Sequence, residues 1–156
     1  MRKIIISLFL LTVCSLFAFT KTTVAVITSS TAASAEVTSY LADSLTEALV
    51  SSSKYTVVDR NSLNMVMQEL QLQHSDEFDE SKATEIGKLL GAKLIFVVKI
   101  SHIAEKYYVS IRGISTTTGE IAILKKYTVK KEKKFVKKAQ TICRQFVMYA
   151  NKYTVM

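Results

Sequence analysis

The hydrophobic pattern of the first twenty residues differs from that of the remaining chain. Arg2 and Lys3 precede an almost unbroken apolar run from residue 4 to residue 13, and apolar character ends just before Thr20. A short positive start, a single apolar stretch and small residues near its end are typical of a secretory signal peptide. The run is at the short end of what a membrane-spanning helix needs, about 20 apolar residues. We therefore expect residues 1–20 to be a signal peptide, with an uncleaved anchor helix as the alternative.

Residues 21–156 are expected to form one domain, because strand-like and helix-like patterns follow one another without a flexible linker. The chain has no proline and only four glycines, which leaves little material for a linker between domains. Apolar residues at helical spacing predict four helices, and the order along the chain is β-α-β-α-α-β-β-β-α. β-branched and apolar runs predict the five strands, at residues 22–28, 55–58, 93–103, 106–115 and 120–129.

This order of elements predicts an α/β (α+β) fold built on a mixed sheet. Helices between the first strands indicate parallel crossover connections in the first half of the chain. Short turns separate the last three strands, including residues 116–119, and such turns indicate an antiparallel C-terminal meander. We expect the helices to pack on at least one face of this sheet.

The last predicted helix has the clearest amphipathic pattern in the chain. Its basic residues lie mostly away from its apolar stripe, so we expect the stripe to pack on the sheet. The stripe contains five apolar residues, flanked by three more: Phe135, Ala139, Ile142, Phe146 and Ala150, with Val136, Cys143 and Val147 beside them.

Charge and cysteine content change if the signal peptide is removed. The full chain carries a formal net charge of +8, and the loss of the two positive charges of Arg2 and Lys3 leaves +6. Cys14 lies in the signal and only Cys143 remains, so no internal disulfide is expected. Cys14 raises the alternative of a lipoprotein, although Val13 is a poor fit to the small residue that precedes a lipidated cysteine. We therefore expect an exported protein that is either free in the periplasm or attached to the outer membrane.

Residues with catalytic or metal-binding chemistry do not form a recognisable motif. His74 lies in a polar segment and His102 near a strand end, and neither has a motif around it. Two histidines and one remaining cysteine do not give the ligand spacing of a zinc site. The acidic run at residues 76–80 lacks the glycine and the final glutamate of a calcium loop, and there is no glycine-rich phosphate loop. We therefore expect a non-enzymatic protein with no catalytic residues, no cofactor and no metal.

Three short motifs occur in order along the middle of the chain. The first, YTVVDR, ends at Asp59 and Arg60. The second, GKLLGAK, contains Gly87 and Gly91, and the third, TGE, contains Gly119. Together they resemble the CsgG-type family of bacterial envelope proteins. That family includes the curli secretion channel subunit, the LpoB-type activators of penicillin-binding proteins and the N-terminal domain of TolB.

The resemblance covers residues 22–129 and implies a periplasm-facing α/β domain that binds other envelope components without catalysis. The implied partners are other envelope proteins, or further copies of the same chain in a homo-oligomer. The chain is too short to hold the membrane-inserting hairpins of the channel-forming relatives beside its core elements. The leading hypothesis is a periplasmic adaptor or assembly factor. The alternatives are a subunit of an oligomeric outer-membrane secretion complex and an LpoB-like lipoprotein activator of a peptidoglycan synthase.

We expect the two charged motif residues to have mainly structural roles. Asp59 follows a strand and can accept hydrogen bonds from the first N–H groups of the next helix, where negative charge is favoured. Arg60 is expected to pair with an acidic residue such as Asp79 or Glu69.

The three motif glycines are also expected to be structural. Gly87 lies inside a predicted helix, where glycine costs about 1 kcal/mol relative to alanine, so we expect it to permit close packing on the sheet. Gly91 stands where a left-handed helix C-cap belongs, and Gly119 lies in a predicted turn.

A dense group of lysines lies where the last strand meets the last helix. One interpretation is the solvent-exposed face of that helix. The other is a surface that contacts anionic lipid headgroups, acidic wall polymers or an acidic protein. Nucleic acid is not an expected partner of an exported protein. The lysines assigned to this candidate surface are Lys130, Lys133, Lys134, Lys137 and Lys138.

Overall fold

The structure is a computed structural model, and it describes residues 20–30, 32–70 and 82–153. Residues 1–19 of the expected signal peptide, including Cys14, lie outside the described residues. The described strands are β1 (Thr22–Ser30), β2 (Tyr55–Val57), β3 (Leu94–Ile103), β4 (Lys106–Ser115) and β5 (Ile121–Val129). The described helices are α1 (Ala35–Ser51), α2 (Arg60–Glu69), α3 (Ala83–Leu89) and α4 (Phe135–Tyr153), with a short 3₁₀ turn at Glu132–Lys134 before α4.

The described strands form one mixed sheet in the order β2-β1-β3-β4-β5. β1 is parallel to both of its neighbours, with Val24 opposite Val57 in β2 and opposite Leu94 in β3. β3, β4 and β5 follow as an antiparallel meander. The predicted order of elements, the mixed sheet and its division into a parallel and an antiparallel half are confirmed.

One side of the sheet, which we call the large face, is covered by α1 and α4. The side chain of Ser34 caps α1 by accepting a hydrogen bond from the Val37 N–H at 3.3 Å. Edge-to-face ring contacts run from Tyr55 to Phe96, with centroids 6.0 Å apart, and from Phe96 to Phe146 of α4, at 5.4 Å. These contacts join β2, β3 and α4 into one core.

The packing of α4 follows its amphipathic sequence. The five stripe residues are buried, as are Cys143 and Val147 beside them. Val136 is an exception, because 52% of it is exposed. Viewed down the helix axis, Val136 stands between Cys143 and Val147, so it is exposed because it belongs to the first turn of α4 and not because of the side of the helix it occupies. Val136 thus lies beside the stripe, as expected, without being buried.

The opposite side of the sheet, the small face, is covered by α2 and α3. Leu63 and Met67 of α2 and Ile86 of α3 pack against apolar residues of β1 and β3. These helices do not reach β5, where Ile121 and Leu124 are exposed. Among the described residues, no helix has the length and apolar character needed to cross a membrane.

Candidate interaction surfaces

The YTVVDR motif forms the turn from β2 into α2. Asp59 is the N-cap of α2, and its Oδ2 accepts hydrogen bonds from the N–H groups of Asn61 at 2.9 Å and Ser62 at 3.4 Å. This carboxylate satisfies two of the helix N–H groups that would otherwise have no partner in the helix. Asp59 therefore holds the start of α2 in place.

Arg60 connects α2 to α1. Its Nη1 lies 3.5 Å from Oδ1 of Asp43 and donates to Oγ of Ser39 at 3.3 Å. The expected pairing with Glu69 is not found, because Glu69 is at the other end of α2, nine residues or about 13 Å along the axis. Asp79, the other expected partner, lies outside the described residues. The ion pair with Asp43 is exposed, and such pairs contribute little stability.

Asp43 and Arg60 stand at a cleft of about 380 Å³ between α1 and α2. β2 pairs with β1 only as far as Val24, and the rest of β1 pairs only with β3, which leaves this space beyond the end of β2. The ionisable side chains lining the cleft are Asp43, Asp59 and Arg60, and neither histidine nor cysteine is among its lining residues. The cleft therefore offers polar binding groups without a nucleophile–base pair.

The three motif glycines meet different structural requirements, close packing at Gly87 and a positive φ at Gly91 and Gly119. Gly87 packs so closely on the β4–β5 turn that an added Cβ would meet Cγ2 of Thr116 and come within 2.8 Å of its Cβ. Gly91 follows the end of α3 with φ of +62°, and the Ala92 N–H donates to the Gly87 carbonyl at 2.9 Å. This is the hydrogen bond of a Schellman C-cap. Gly119 has φ of +77° in the turn before β5.

The five candidate lysines lie together at one end of the molecule and are all exposed. Lys130 follows β5, Lys133 and Lys134 belong to the 3₁₀ turn, and Lys137 and Lys138 begin α4. The Ser34 N–H donates to Oε1 of Glu132 at 3.0 Å, which places this segment beside the start of α1. None of the five lysines forms an ion pair with an acidic side chain in the part of the chain that the structure describes. The N-termini of α1 and α4 add their own positive potential there.

A groove of about 400 Å³ runs between α1 and α4 on the side away from the sheet. Small residues of α1, among them Ser44 and Ala48, form one wall, and Arg144 and Met148 of α4 form the other. Glu47 of α1 also lines it. Sequence reasoning did not identify this groove, although one signal was present: the charges of α1 are all negative and those of α4 all positive.

Comparison with known proteins assigns the family. The sequence model of the family described as curli production assembly/transport component CsgG matches residues 9–108. The chain belongs to the CsgG family. The resemblance inferred from the three motifs is therefore confirmed. No curated protein matches this CsgG-family chain significantly in sequence.

Solved structures show the same fold as this CsgG-family chain. The LpoB C-terminal domain of Salmonella enterica is 20% identical, with a TM-score of 0.59 over 77% of this chain and 90% of that domain. The LpoB C-terminal domain of Escherichia coli is 21% identical, with a TM-score of 0.57 over 76% of this chain and 89% of that domain. A PelC dodecamer of Paraburkholderia phytofirmans is 8% identical, with a TM-score of 0.55 over 84% of this chain and 88% of the PelC chain.

Burial between α4 and the rest of the large-face core perturbs Cys143 and Tyr127 of this CsgG-family chain. Burial raises the pKa of the Cys143 thiol to about 12, and the thiol donates to the Leu41 carbonyl at 3.7 Å. Burial, followed by the effect of the neighbouring Cys143, raises the pKa of Tyr127 to about 12. A thiol held in its neutral form is a poor nucleophile. Within residues 20–30, 32–70 and 82–153, no group of three or more His, Cys, Asp or Glu residues is placed to hold a metal.

Proposed function

We propose that this protein is a non-enzymatic, exported component of the cell envelope that acts as an adaptor or assembly factor through protein–protein contacts. The observation that carries the proposal is membership of the CsgG family, whose description is an assembly and transport component of curli production. Under this proposal, residues 1–20 direct export and residues 21–156 form the binding domain.

The roles of the motif residues support a binding function over a catalytic one. Asp59 caps α2, Arg60 bridges α2 to α1, and the Cys143 thiol is buried in its neutral form. These contacts occupy the carboxylate of Asp59, the guanidinium of Arg60 and the thiol of Cys143. The remaining features are surfaces: the cleft, the groove and the lysine group.

Site-specific photo-crosslinking in the producing cell tests the adaptor function. A photoreactive residue is placed at exposed positions of the lysine group and of the groove, Lys134 and Gln140, and as a control at the buried position Ile111. An adaptor gives a discrete adduct with another envelope protein from at least one exposed position and none from the control. Absence of any adduct from both exposed positions, with the protein present in the envelope, would refute the proposal.

PelC of Paraburkholderia phytofirmans, which has the same fold, forms a dodecamer. This supports the alternative that the protein is a subunit of an oligomeric complex. An LpoB-like lipoprotein activator of a peptidoglycan synthase is the other alternative, given the LpoB fold. Mass spectrometry of the mature N-terminus separates the tethered from the free form. A diacylglyceryl group on Cys14 means a lipoprotein, and a first residue near Lys21 means a protein free in the periplasm.

The lysine group favours an additional contact with an anionic surface, either lipid headgroups or wall polymer. Its members are exposed, lie at one end and lack acidic partners among the described residues. Each lysine near an anionic membrane contributes about 1 kcal/mol. We expect the mature protein to bind vesicles of phosphatidylglycerol and phosphatidylethanolamine, and to release them at high salt.

A pair of matched triple variants tests this contact. Replacement of Lys133, Lys134 and Lys137 by serine should abolish vesicle binding. The same change at the exposed residues 21, 88 and 93, which lie away from the lysine group, removes the same charge and should leave most binding intact. Equal losses of vesicle binding in the two variants would show that binding depends only on net charge. Binding to purified peptidoglycan with none to vesicles would identify wall polymer as the anionic surface.

A further inference from the structure

The groove between α1 and α4 belongs to a pair of parallel helices whose relative position is well defined. The Ser34 N–H meets Glu132 at one end, the Cys143 thiol meets the Leu41 carbonyl in the middle, and Lys54 Nζ donates to the Asn151 carbonyl at 3.3 Å at the other end. These contacts join residues separated in sequence by 98, 102 and 97 positions. A residue of α1 therefore lies level with the residue of α4 about 100 positions later.

The two helices carry opposite charge. α1 has three acidic residues and no basic one, and α4 has four basic residues and no acidic one. Glu47 and Arg144 both line the groove, and both are exposed. The acidic residues of α1 are Glu36, Asp43 and Glu47, and the basic residues of α4 are Lys137, Lys138, Arg144 and Lys152.

The shape of the groove is also suited to contact with a copy of itself. Ser44, Ala48 and Ser51 make a shallow wall of small side chains on α1. Met148 stands on α4 beside them and is 69% exposed, so its apolar side chain protrudes from the surface. A surface that has both a protruding side chain and a recess of small residues can be complementary to itself under twofold symmetry.

We propose that two copies of this protein associate through the α1–α4 surface around a twofold axis that lies in the interface, parallel to the two helices. The axis runs along the mouth of the groove, so that α1 of each copy lies parallel on α4 of the other. This interface goes beyond the adaptor function and does not depend on it.

The register of the two helices places the charged residues of the two copies together. Glu47 is level with about residue 147 of α4, and Arg144 is level with about residue 44 of α1. A twofold rotation about an axis parallel to the helices keeps these levels, so Glu47 of each copy faces α4 of the second copy about 4.5 Å along the axis from the level of Arg144. The same operation carries Met148 of each copy to the level of Ala48 in the second, where the wall of small residues has room for it.

The size of the surface sets the expected strength of the contact. α1 is about 25 Å long and each helix is about 10 Å wide, so the pair presents roughly 500 Å² per copy. A total of about 1,000 Å² is at the low end for a specific interface. We therefore expect a reversible, salt-sensitive dimer in exchange with monomer rather than a permanent one.

Sedimentation equilibrium of residues 21–156 tests the dimer with charge-reversal variants. We expect Arg144→Glu and Glu47→Arg each to raise the dimer Kd about tenfold, because each change sets two like-charge pairs across the interface. The double variant restores both pairs with their signs exchanged and should recover the original Kd. Glu85→Arg, at an exposed position on α3, is the matched control and should leave the Kd unchanged. Thermal unfolding of each variant checks that it is folded.

Disulfide trapping tests the orientation separately from the affinity. In a Cys143→Ala background, chains carrying Glu47→Cys are mixed with chains carrying Arg144→Cys. The stacking of α1 on α4 of the other copy predicts that the mixed disulfide forms faster than either disulfide between identical chains. A monomer at every concentration, a dimer insensitive to both charge reversals, or preferential trapping between identical positions would overturn the interface. Any of these results would leave the adaptor function standing, because that function is tested by adducts with other proteins.

Discussion

The two faces of the sheet are covered by helices of very different length. On the large face, helices of 17 and 19 residues lie over a cluster of 19 buried residues that extends from β2 to β5. On the small face, helices of ten and seven residues lie over a cluster of ten. Because hydrophobic stabilisation follows the apolar area removed from water, most of it belongs to the large face.

The same difference explains where the family motifs are found. A helix of seven to ten residues is marginal unless its ends and contacts are well satisfied. Asp59 caps α2, Gly91 ends α3, and Gly87 lets α3 approach the β4–β5 turn. The long helices of the large face depend on burial of a broad apolar stripe, which many sequences can supply. The charged residue and glycines of these motifs that shape helix ends and contacts therefore lie on the less buried side of the molecule, whereas Tyr55 of the first motif belongs to the large face.

Truncation of a core ring should show the largest difference between the faces. Phe146→Ala removes a fully buried ring in contact with Phe96 on the large face, and we expect it to lower the free energy of unfolding by about 3–5 kcal/mol. Leu63→Ala on the small face, where 7% of the residue is still exposed, should cost about 2–3 kcal/mol. Urea unfolding of both variants gives the comparison.

Met148→Ala, at an exposed position of the same helix as Phe146, is the control and should change stability by less than about 0.5 kcal/mol at concentrations where the protein is monomeric. A Leu63→Ala variant that loses as much stability as Phe146→Ala would show that the small face contributes equally to the core.

Filling the contact beneath Gly87 tests how tightly the small face is assembled. Gly87→Ala brings a methyl group into the Thr116 side chain, whose Oγ1 is held by the Ala92 carbonyl at 2.6 Å. We expect a loss of about 1–3 kcal/mol from overpacking, although alanine is the better helix former. Thermal or urea unfolding measures the loss.

Thr116→Ser removes the methyl group that Gly87→Ala would strike and keeps the hydroxyl. The double variant should therefore recover part of the stability lost by Gly87→Ala alone. A stabilising effect of Gly87→Ala would mean that α3 moves away from the turn without cost, and that the small face is loosely packed.

The hydrophobic pattern of the sequence was sufficient to predict the elements and buried residues of the large face. Much less of the small face could be predicted from it. Period-2 alternation in β3 and the apolar stripe of α4 predict their elements and buried residues, because burial on that face is extensive and regular. The partner of Arg60 was not predictable, since Asp43 comes beside it only after β1, α1 and β2 have folded into a crossover. The contact of Gly87 with Thr116 likewise depends on the position of a distant turn. The α1–α4 groove also required the fold, because opposite charges on two helices have no meaning until the helices are known to be neighbours.

Alkaline pH should weaken the large face through Cys143. Burial raises the pKa of this thiol from 9.0 to about 12, so the folded state disfavours the thiolate. Its contribution to stability is complete below about pH 9 and is lost as the pH rises from 9 through 12, by about 1.4 kcal/mol per pH unit. Tyr127, whose pKa is raised by burial from 10.0 to about 12, adds a smaller loss above pH 10 because its pKa is raised by less than that of Cys143.

Urea unfolding of the wild type and Cys143→Ala between pH 7 and pH 11 measures this dependence. Cys143→Ala is expected to be less stable than the wild type at pH 7, and the difference should shrink or reverse by pH 11. A constant difference across this range would mean that the thiol is open to solvent and that the large face is less closed than its burial indicates.

The smallest effect is expected at the N-cap of α2, on the small face. Asp59→Ala removes the carboxylate that accepts hydrogen bonds from Asn61 and Ser62, and should cost about 1 kcal/mol. Asp59→Asn keeps an oxygen acceptor and should cost less than half as much, measured by urea unfolding. Hydrogen exchange shows where the structure is destabilised. If the cap acts only on its own face, we expect faster exchange in the first turn of α2 and unchanged exchange in α4. Faster exchange in both helices would show that the two faces unfold as one unit. The faces would then differ in how much apolar surface they bury, but neither would unfold separately from the other.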